Sequence, residues 1–297
     1  MEKIICGIVL YNPEINRLKE NIYSIKEQVD NIIFFDNGSK NFDKIKYYIR
    51  SINKDFIIIN SNKNCGIAYA LNRIAQYAIN NGYNWLVTLD QDTVVNKNLI
   101  SIYRKYLNLP MLGQLSCLFT DRNADKVQKN KKQAYQKVKY CITSGTLIKL
   151  EALEKVGGYD EQLFIDWVDN EICCRLRTFN YETYRINFYG FLQEMGHIKE
   201  NKILFKKIYT PNYNPIRYYY NARNSIYVSR KYNDENVCKI LFNQFKMATM
   251  IIFFEHRKLK KVKAIFRGIK AGFKIKRENN EINKRIFGCS SSYIGKQ

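Results

Sequence analysis

Short apolar runs alternating with amphipathic stretches organise the first third of the chain. Residues 3–11, 32–35, 56–59 and 85–89 are near-continuous runs of Ile, Val, Leu, Phe and Trp. Runs of this length, apolar on both faces, predict strands buried in a parallel sheet. Between them, residues 14–28 carry Ile15, Leu18, Ile22 and Ile25 on one helical face, and residues 41–52 also read as a helix. A third helix is predicted from about 67 to 80, closed by Asn81-Gly82 as a C-cap signal. Strand alternating with helix predicts an α/β fold: a mostly parallel central sheet with helices on both faces.

The middle of the chain changes character. Residues 111–119 and 138–150 read as strands flanking a polar, Lys-rich excursion, 121–137, which is expected to be a flexible loop. A short helix follows from Glu151, and the stretch Phe164-Ile165-Asp166-Trp167-Val168-Asp169-Asn170-Glu171 leads into another helix. Its carboxylates stand at or just before a helix N-terminus, where the dipole favours their charged form. From Val237 onward the pattern is helical. Leu259, Val262, Phe266, Ile269 and Phe273 form a narrow apolar stripe, and Lys and Arg fill the other faces. The apolar run 247–254 is expected to dock on protein or to dip into a bilayer surface, and no stretch reaches the length of a membrane span.

Composition alters this picture in one respect. Apolar content, 46% of 297 residues, is ordinary, but the net charge is +22. Residues 199–297 hold 23 Lys and Arg against 6 Asp and Glu, so the excess is concentrated at one end. An anionic membrane surface, a phosphate-rich substrate or nucleic acid each fits such a field. The eight cysteines show no Cys-x-x-Cys and no zinc spacing, which predicts reduced thiols acting as small core residues. The N-terminal apolar run is too short for a signal peptide.

Three of the four early strands end in Asn, Asp or Gly at one edge, and the carboxyl edge of an open α/β sheet is where ligands bind. Neither a Gly-x-Gly-x-x-Gly nor a Walker A sequence is present. The fourth strand ends in Asp90-Gln91-Asp92. Side chains at i and i+2 of an extended chain point the same way, so both acids can face one hard cation. By itself this triplet reads as a polar turn between strand and helix sooner than as a metal site.

Four motifs in order carry a resemblance: Asp36-Asn37-Gly38-Ser39; Asn64-Cys65-Gly66-Ile67-Ala68-Tyr69-Ala70-Leu71-Asn72; Thr88-Leu89-Asp90-Gln91-Asp92; and the 164–171 stretch quoted above. Together with Arg217-Tyr218-Tyr219-Tyr220-Asn221-Ala222-Arg223-Asn224, they resemble inverting family 2 glycosyltransferases of the GT-A fold, bacterial rhamnosyltransferases above all. The resemblance implies a Rossmann-like catalytic domain over 1–230, with a nucleotide-sugar half (1–110) and an acceptor half (111–230), followed by a basic helical extension over 231–297. It implies that Tyr11, Asp36, Asn64, Gly66 and Asp90 bind the nucleotide, with the Asp36 carboxylate accepting from a uracil or thymine imide. Asp92, Asp90 and His197 are implied to hold Mn²⁺ or Mg²⁺. Asp169 is implied as catalytic base. Val168 departs from the family's usual Glu-Asp pair, which makes Asp166 the rival base. Ser144, Gly145, Trp167, Glu171, Arg217, Tyr218, Arg223 and Asn224 are implied to meet acceptor or phosphate.

The implied reaction moves a sugar from a nucleoside-diphosphate donor to an acceptor, with dTDP-L-rhamnose favoured and a UDP-hexose second. The implied acceptor is a saccharide, free or linked to undecaprenyl diphosphate, in surface polysaccharide synthesis. The expected location is cytoplasmic, held at the inner membrane face by the basic tail on anionic lipid. A tail packed on its own domain or forming a homodimer seam is the alternative. Two other classes fit some of the residues. A nucleotidyltransferase shares the α/β site and paired acids. A nucleic-acid-binding protein would explain the charge and the Tyr content without needing Asp92; nucleic acid is not expected as a partner.

Overall fold

The computed structural model describes residues 2–122, 133–194, 199–203 and 206–276. In chain order the elements are β1 (Ile4–Leu10), α1 (Ile15–Ile25), β2 (Asn31–Asp36), α2 (Phe42–Ile52), β3 (Ile57–Asn60), α3 (Ile67–Asn80), β4 (Trp85–Asp90) and β5 (Val94–Val95). Then come α4 (Leu99–Arg104), β6 (Leu112–Asp121), β7 (Tyr135–Lys137), β8 (Thr146–Lys149), α5 (Leu150–Lys155), α6 (Val168–Thr178) and β9 (Glu182–Gln193). The hairpin β10 (Lys199–Ile203) and β11 (Lys206–Thr210) precedes α7 (Pro215–Tyr232), α8 (Val237–Phe254) and α9 (Lys258–Lys274).

One sheet runs in the order β3-β2-β1-β4-β8-β6-β9-β5, with β7 also on β9. The strands β3, β2, β1 and β4 are parallel, as their two-sided apolar pattern requires. β8 runs antiparallel between β4 and β6, and β9 lies parallel to β6. In β1 alternate residues divide between two cores. Ile4, Cys6, Ile8 and Leu10 face α1 and α2, and Ile5 faces α3. Ile33 and Phe35 of β2 join the α3 side, and Ile32 and Phe34 the other. The unbroken apolar runs thus reflect helices on both faces.

Register brings the polar strand ends together. Leu10 lies opposite Asp36, Asp36 opposite Asn60, and Val9 opposite Asp90. Six of the nine strands, β1 to β4 with β6 and β9, point toward this edge.

Four expectations are corrected. Within 138–150 only Thr146–Lys149 is strand. The chain turns at 143–146, where Thr146 N–H bonds Thr143 O and Gly145 sits at φ +73°. The polar excursion contains the short strand β7, paired to β9, while residues 123–132 lie outside the described residues.

The other two corrections concern the tail. The buried face of α9 is Lys261, Ile265, Gly268 and Gly272, whereas Leu259, Phe266 and Phe273 of the expected stripe are exposed. Small residues win that face because helix backbones approach closely: a Cβ at Gly268 would lie 2.4 Å from Tyr219 O, and at Gly272 2.6 Å from Arg223 O. Lys261 is buried because Glu255 and Asn212 each meet its ammonium at 2.7 Å. Finally, α8 is long and apolar enough to cross a membrane, contrary to expectation, because its 18 residues include only two charges, Lys239 and Lys246. Its inner face, Ile240, Gln244, Ala248 and Ile251, is nevertheless buried on protein.

Candidate active site

Asp36 ends β2 and is wholly buried. Its Oδ1 accepts from Gly38 N–H (3.2 Å) and Ser39 N–H (2.9 Å), while its buried Oδ2 has no hydrogen-bond partner. A desolvated carboxylate oxygen left free costs energy unless a donor arrives, and an imide N–H is such a donor. Tyr11, just past the end of β1, keeps its ring half exposed, and its backbone N–H is tied to Gln91 Oε1 (2.9 Å). Asn64 folds back to cap Gly66 N–H (3.0 Å), and Asn37 bonds Cys65 N–H (2.8 Å) and Gly66 O (3.2 Å). Gly66, at φ +91°, is required by packing: a Cβ there would lie 2.7 Å from Phe164 O. The glycine therefore lets the start of α3 pack directly on the Phe164 backbone, just before α6.

Asp90 emerges from β4 into a cleft. Asp90 is exposed to solvent, and desolvation by the atoms packed around it raises its pKa, opposed by a hydrogen bond from Gln193 Nε2 (2.7 Å) and by the charge of Arg217. Asp92 is pushed up to about 6, first by burial and then by the negative charge of Asp90, with Glu194 adding to the repulsion. Two crowded carboxylates that repel each other form a hard-oxygen site suited to Mg²⁺ or Mn²⁺. Among the described residues no third His, Cys, Asp or Glu completes a metal cluster with them. His197 lies outside the described residues.

A polar scaffold holds this turn. Asn21 of α1 donates to Asp90 O (2.9 Å) and Thr93 O (2.7 Å). Thr93 Oγ1 bonds Gln193 Oε1 (2.6 Å) and shares a bond with Ser144 Oγ (2.7 Å), which also receives Asp90 N–H (3.0 Å). Ser144 and Gly145, expected to face acceptor or phosphate, thus serve the loop. Ser144 is buried in this network, and a Cβ on Gly145 would strike the Phe191 ring at 2.3 Å.

The second group of candidate residues comes from the turn before α6. Asp166 and Trp167 both adopt left-handed backbone, φ +62° and +68°. Two such non-glycine residues in succession store strain that surroundings must hold. Ile67 N–H bonds Phe164 O (2.8 Å), and buried Asn224 donates to Ile165 O (2.8 Å) and Asp166 O (2.9 Å). Arg223 bonds Asn224 Oδ1 (2.7 Å) and Gln162 O. Arg223 and Asn224 are therefore clamps on this turn. Two more expected acceptor residues are structural. Glu171 is fully buried and accepts from Arg175 (2.6 Å), Lys231 (3.0 Å) and Tyr232 (2.6 Å). Tyr218 is buried and donates to Glu255 (2.6 Å).

Asp169 and Asp166 differ in environment. Arg217 holds Asp166 Oδ1 at 3.3 Å and stacks over Tyr213 at 3.9 Å. Asp169 Oδ1 accepts Asn170 N–H (2.9 Å), and burial, with Asp166 and Asp90 adding repulsion, pushes its pKa to about 6. Asp90 and Asp166 are thus near enough to Asp169 to repel its charged form. Beside Asp169 opens a cavity of about 260 Å³, walled by Phe119, Phe191, Tyr140, Cys141 and Arg185. The buried Nε of Arg185 has no hydrogen-bond partner.

Sequence reasoning missed Asn21, Thr93, Arg185, Gln193 and Glu194. Gln193 lies 103 positions from Asp90 and carries no local motif.

The geometry has counterparts in known proteins. A model of glycosyl transferase family 2 matches residues 6–140. RfbF of Shigella flexneri, a dTDP-rhamnosyl transferase, is 30% identical over 239 residues, which cover 75% of this chain and 79% of that protein. Among solved structures, TarS 1-349 of S. aureus is similar with a TM-score of 0.59 at 12% identity, over 91% of this chain and 80% of that one. GalNAc-T7 with UDP, GalNAc and Mn²⁺ is similar with a TM-score of 0.62 at 13% identity, over 92% and 56%. These structures share the GT-A fold. The sequence match to RfbF, the family-model match and the strand-edge constellation agree: the chain belongs to glycosyltransferase family 2, and it is a glycosyltransferase that uses a nucleotide-sugar donor.

Proposed function

We propose that the chain transfers L-rhamnose from dTDP-L-rhamnose, with inversion, to a hydroxyl of a lipid-linked saccharide destined for surface polysaccharide. The observation that supports the mechanism is a set of three distinct carboxylate environments, two of them at the ends of the parallel strands β2 and β4 on either side of β1. Asp36 offers a buried acceptor without a partner, Asp90 and Asp92 repel each other, and Asp169 has a pKa of about 6. The likeness to a dTDP-rhamnosyl transferase supports the sugar.

Asp36 Oδ2 receives the thymine N3–H, and the Tyr11 ring covers the base. Asp90 and Asp92 would hold a divalent cation, which when bound supplies Lewis-acid charge to the departing diphosphate. Arg217 presents a second positive charge to the same cleft. The acceptor sugar occupies the cavity beside Asp169. Asp169 takes the hydroxyl proton as the new O–C1 bond forms and the C1–O bond to the diphosphate breaks. A carboxylate with a pKa near 6 is ionised at neutral pH yet more basic than an exposed one. Asp166, whose Oδ1 is engaged by Arg217, is the rival base. Uracil presents the same imide as thymine, so Asp36 also suits a UDP-hexose, the second donor considered.

A thermal-shift panel of dTDP-rhamnose, UDP-glucose and GDP-mannose, each with and without Mn²⁺, tests the reading. A ligand that binds only the native state raises Tm. The dTDP sugar is expected to give the largest rise, larger still with Mn²⁺. A rise confined to the GDP sugar, or none with any nucleotide, overturns it.

A further inference from the structure

The α8–α9 pair carries an outward face that the catalytic reading does not use. Of the thirteen exposed large apolar side chains among the described residues, seven lie on these two helices, so the exposure is local to them. On α8 they are Phe242, Phe245, Ile252 and Phe253; on α9 they are Leu259, Phe266 and Phe273. The α9 residues are seven apart, about two helical turns, and so lie on one line. The rings of Phe245 and Phe266 meet edge to face at 5.8 Å, which joins the two helices' apolar lines into one patch.

Charge surrounds this patch with a single sign. Between Val237 and Lys276 the chain has eleven Lys and Arg and one acid, Glu255. That acid is buried against Lys261, and the other ten cations are exposed. Lys263, Arg267, Lys270 and Lys274 run beside the Leu259–Phe266–Phe273 line. Apolar rings framed by unopposed cations fit the boundary between headgroup and acyl chain of an anionic bilayer. A water-facing surface has no use for the rings, and a second copy of the same face would set ten cations against ten.

The helices lie on the protein rather than free of it. Buried Gln244 of α8 donates to Asn221 (3.2 Å) and Ser225 (3.4 Å) of α7, and Gly268 and Gly272 seat α9 on the α7 backbone. With its inner face so engaged, α8 is placed to lie along a membrane although its length would allow it to cross one. α7 also carries Arg217, bound to Asp166. The surface and the catalytic cleft are therefore linked through one rigid helix.

We propose that the exposed face of α8 and α9 is a docking surface for anionic lipid, on which the enzyme lies peripherally with its cleft held at a fixed attitude to the bilayer. The proposal does not depend on the identity of the donor, because its test involves no turnover.

The test is co-sedimentation of the full chain with vesicles of phosphatidylcholine alone and of phosphatidylethanolamine with phosphatidylglycerol and cardiolipin. Partition into the anionic vesicles is expected to exceed that into neutral ones by about tenfold or more, and to fall steeply in ~0.5 M salt. The variant Phe253→Ser/Leu259→Ser/Phe266→Ser is expected to lose roughly tenfold or more of that partition. Lys263→Gln/Lys270→Gln/Lys274→Gln should lose anionic selectivity in particular. All six side chains are exposed, and an unchanged Tm in each variant verifies the fold. Equal partition into neutral and anionic vesicles overturns the proposal. So does a dimer in light scattering that the serine variant dissociates while vesicles bind neither form. Resistance of vesicle-bound protein to alkaline carbonate extraction also overturns it, because that outcome marks α8 as inserted.

Discussion

Replacing Asp169 with Asn removes a charge and a base while preserving the shape of the site. Asn offers a carbonyl oxygen where Asp169 Oδ1 now accepts Asn170 N–H at 2.9 Å, so the α6 turn should survive. Two effects of opposite sign are expected. The wild-type carboxyl is raised from 3.8 to about 6 in the folded protein, chiefly by burial. A group with a raised folded pKa leaves stability complete below its unfolded pKa and removes stability as pH rises through the folded value. About two units correspond to roughly 3 kcal/mol, and screening by solvent at this partly exposed group leaves ~1–3 kcal/mol. Asp169→Asn should therefore melt several degrees above wild type at pH 7.5, about 2–8 °C. The gap should close between pH 6 and 4. Transfer should behave conversely. Wild-type kcat/KM should climb with pH up to about 6 and then level. The variant should lose roughly 10²–10⁴-fold in kcat with donor affinity retained. The assay is release of nucleoside diphosphate in the presence of acceptor, alongside Tm from pH 4 to 8. Near-wild-type transfer in Asp169→Asn together with collapse in Asp166→Asn would refute the assignment and move the base to the Arg217-paired carboxylate. A Tm that does not rise would refute the electrostatic account of Asp169 by itself.

Other outcomes follow from the same contacts. Asp36→Asn retains an acceptor for Gly38 and Ser39 but turns an N–H₂ toward the base, so nucleotide Kd by calorimetry should weaken ~10–100-fold with kcat little changed, since one charged hydrogen bond is lost. Gly66→Ala sets a Cβ 2.7 Å from Phe164 O at a backbone φ of +91°, and chemical denaturation should show a loss of roughly 2–4 kcal/mol. Asn224→Ala releases the carbonyls of Ile165 and Asp166, so kcat should fall while the donor Kd from thermal shift stays within about threefold, the disturbance being confined to the acceptor side. Equal losses in donor binding and turnover would show instead that Asn224 supports the whole cleft.

Much of this enzyme is legible in its sequence because the signals are local. Two-sided apolar runs must be central parallel strands, and the helices between them follow from spacing and from caps such as Asn81-Gly82. A third helix over 67–80 and three polar strand ends at one sheet edge follow from the chain alone, as does the concentration of positive charge in its last third. The candidate site residues were equally visible, since Asp36, Asp90, Asp92 and Asp169 each stand in a short motif.

Only the tertiary structure separated the candidate residues that border open space from those engaged in buried hydrogen-bond networks. Glu171 and Asp169 are two positions apart, yet one is buried among Arg175, Lys231 and Tyr232 and the other opens on a cavity. Gln193 orients Asp90 across 103 positions of chain, a pairing that no local pattern encodes. The tail shows the same division. Its heptad-like stripe was visible, but the glycines that let α9 approach α7 took the inward face and left Leu259, Phe266 and Phe273 outside. Periodicity states which residues share a face of a helix. What that face meets depends on the backbone distance and the partners folding brings to it, and these are set by contacts distant in sequence.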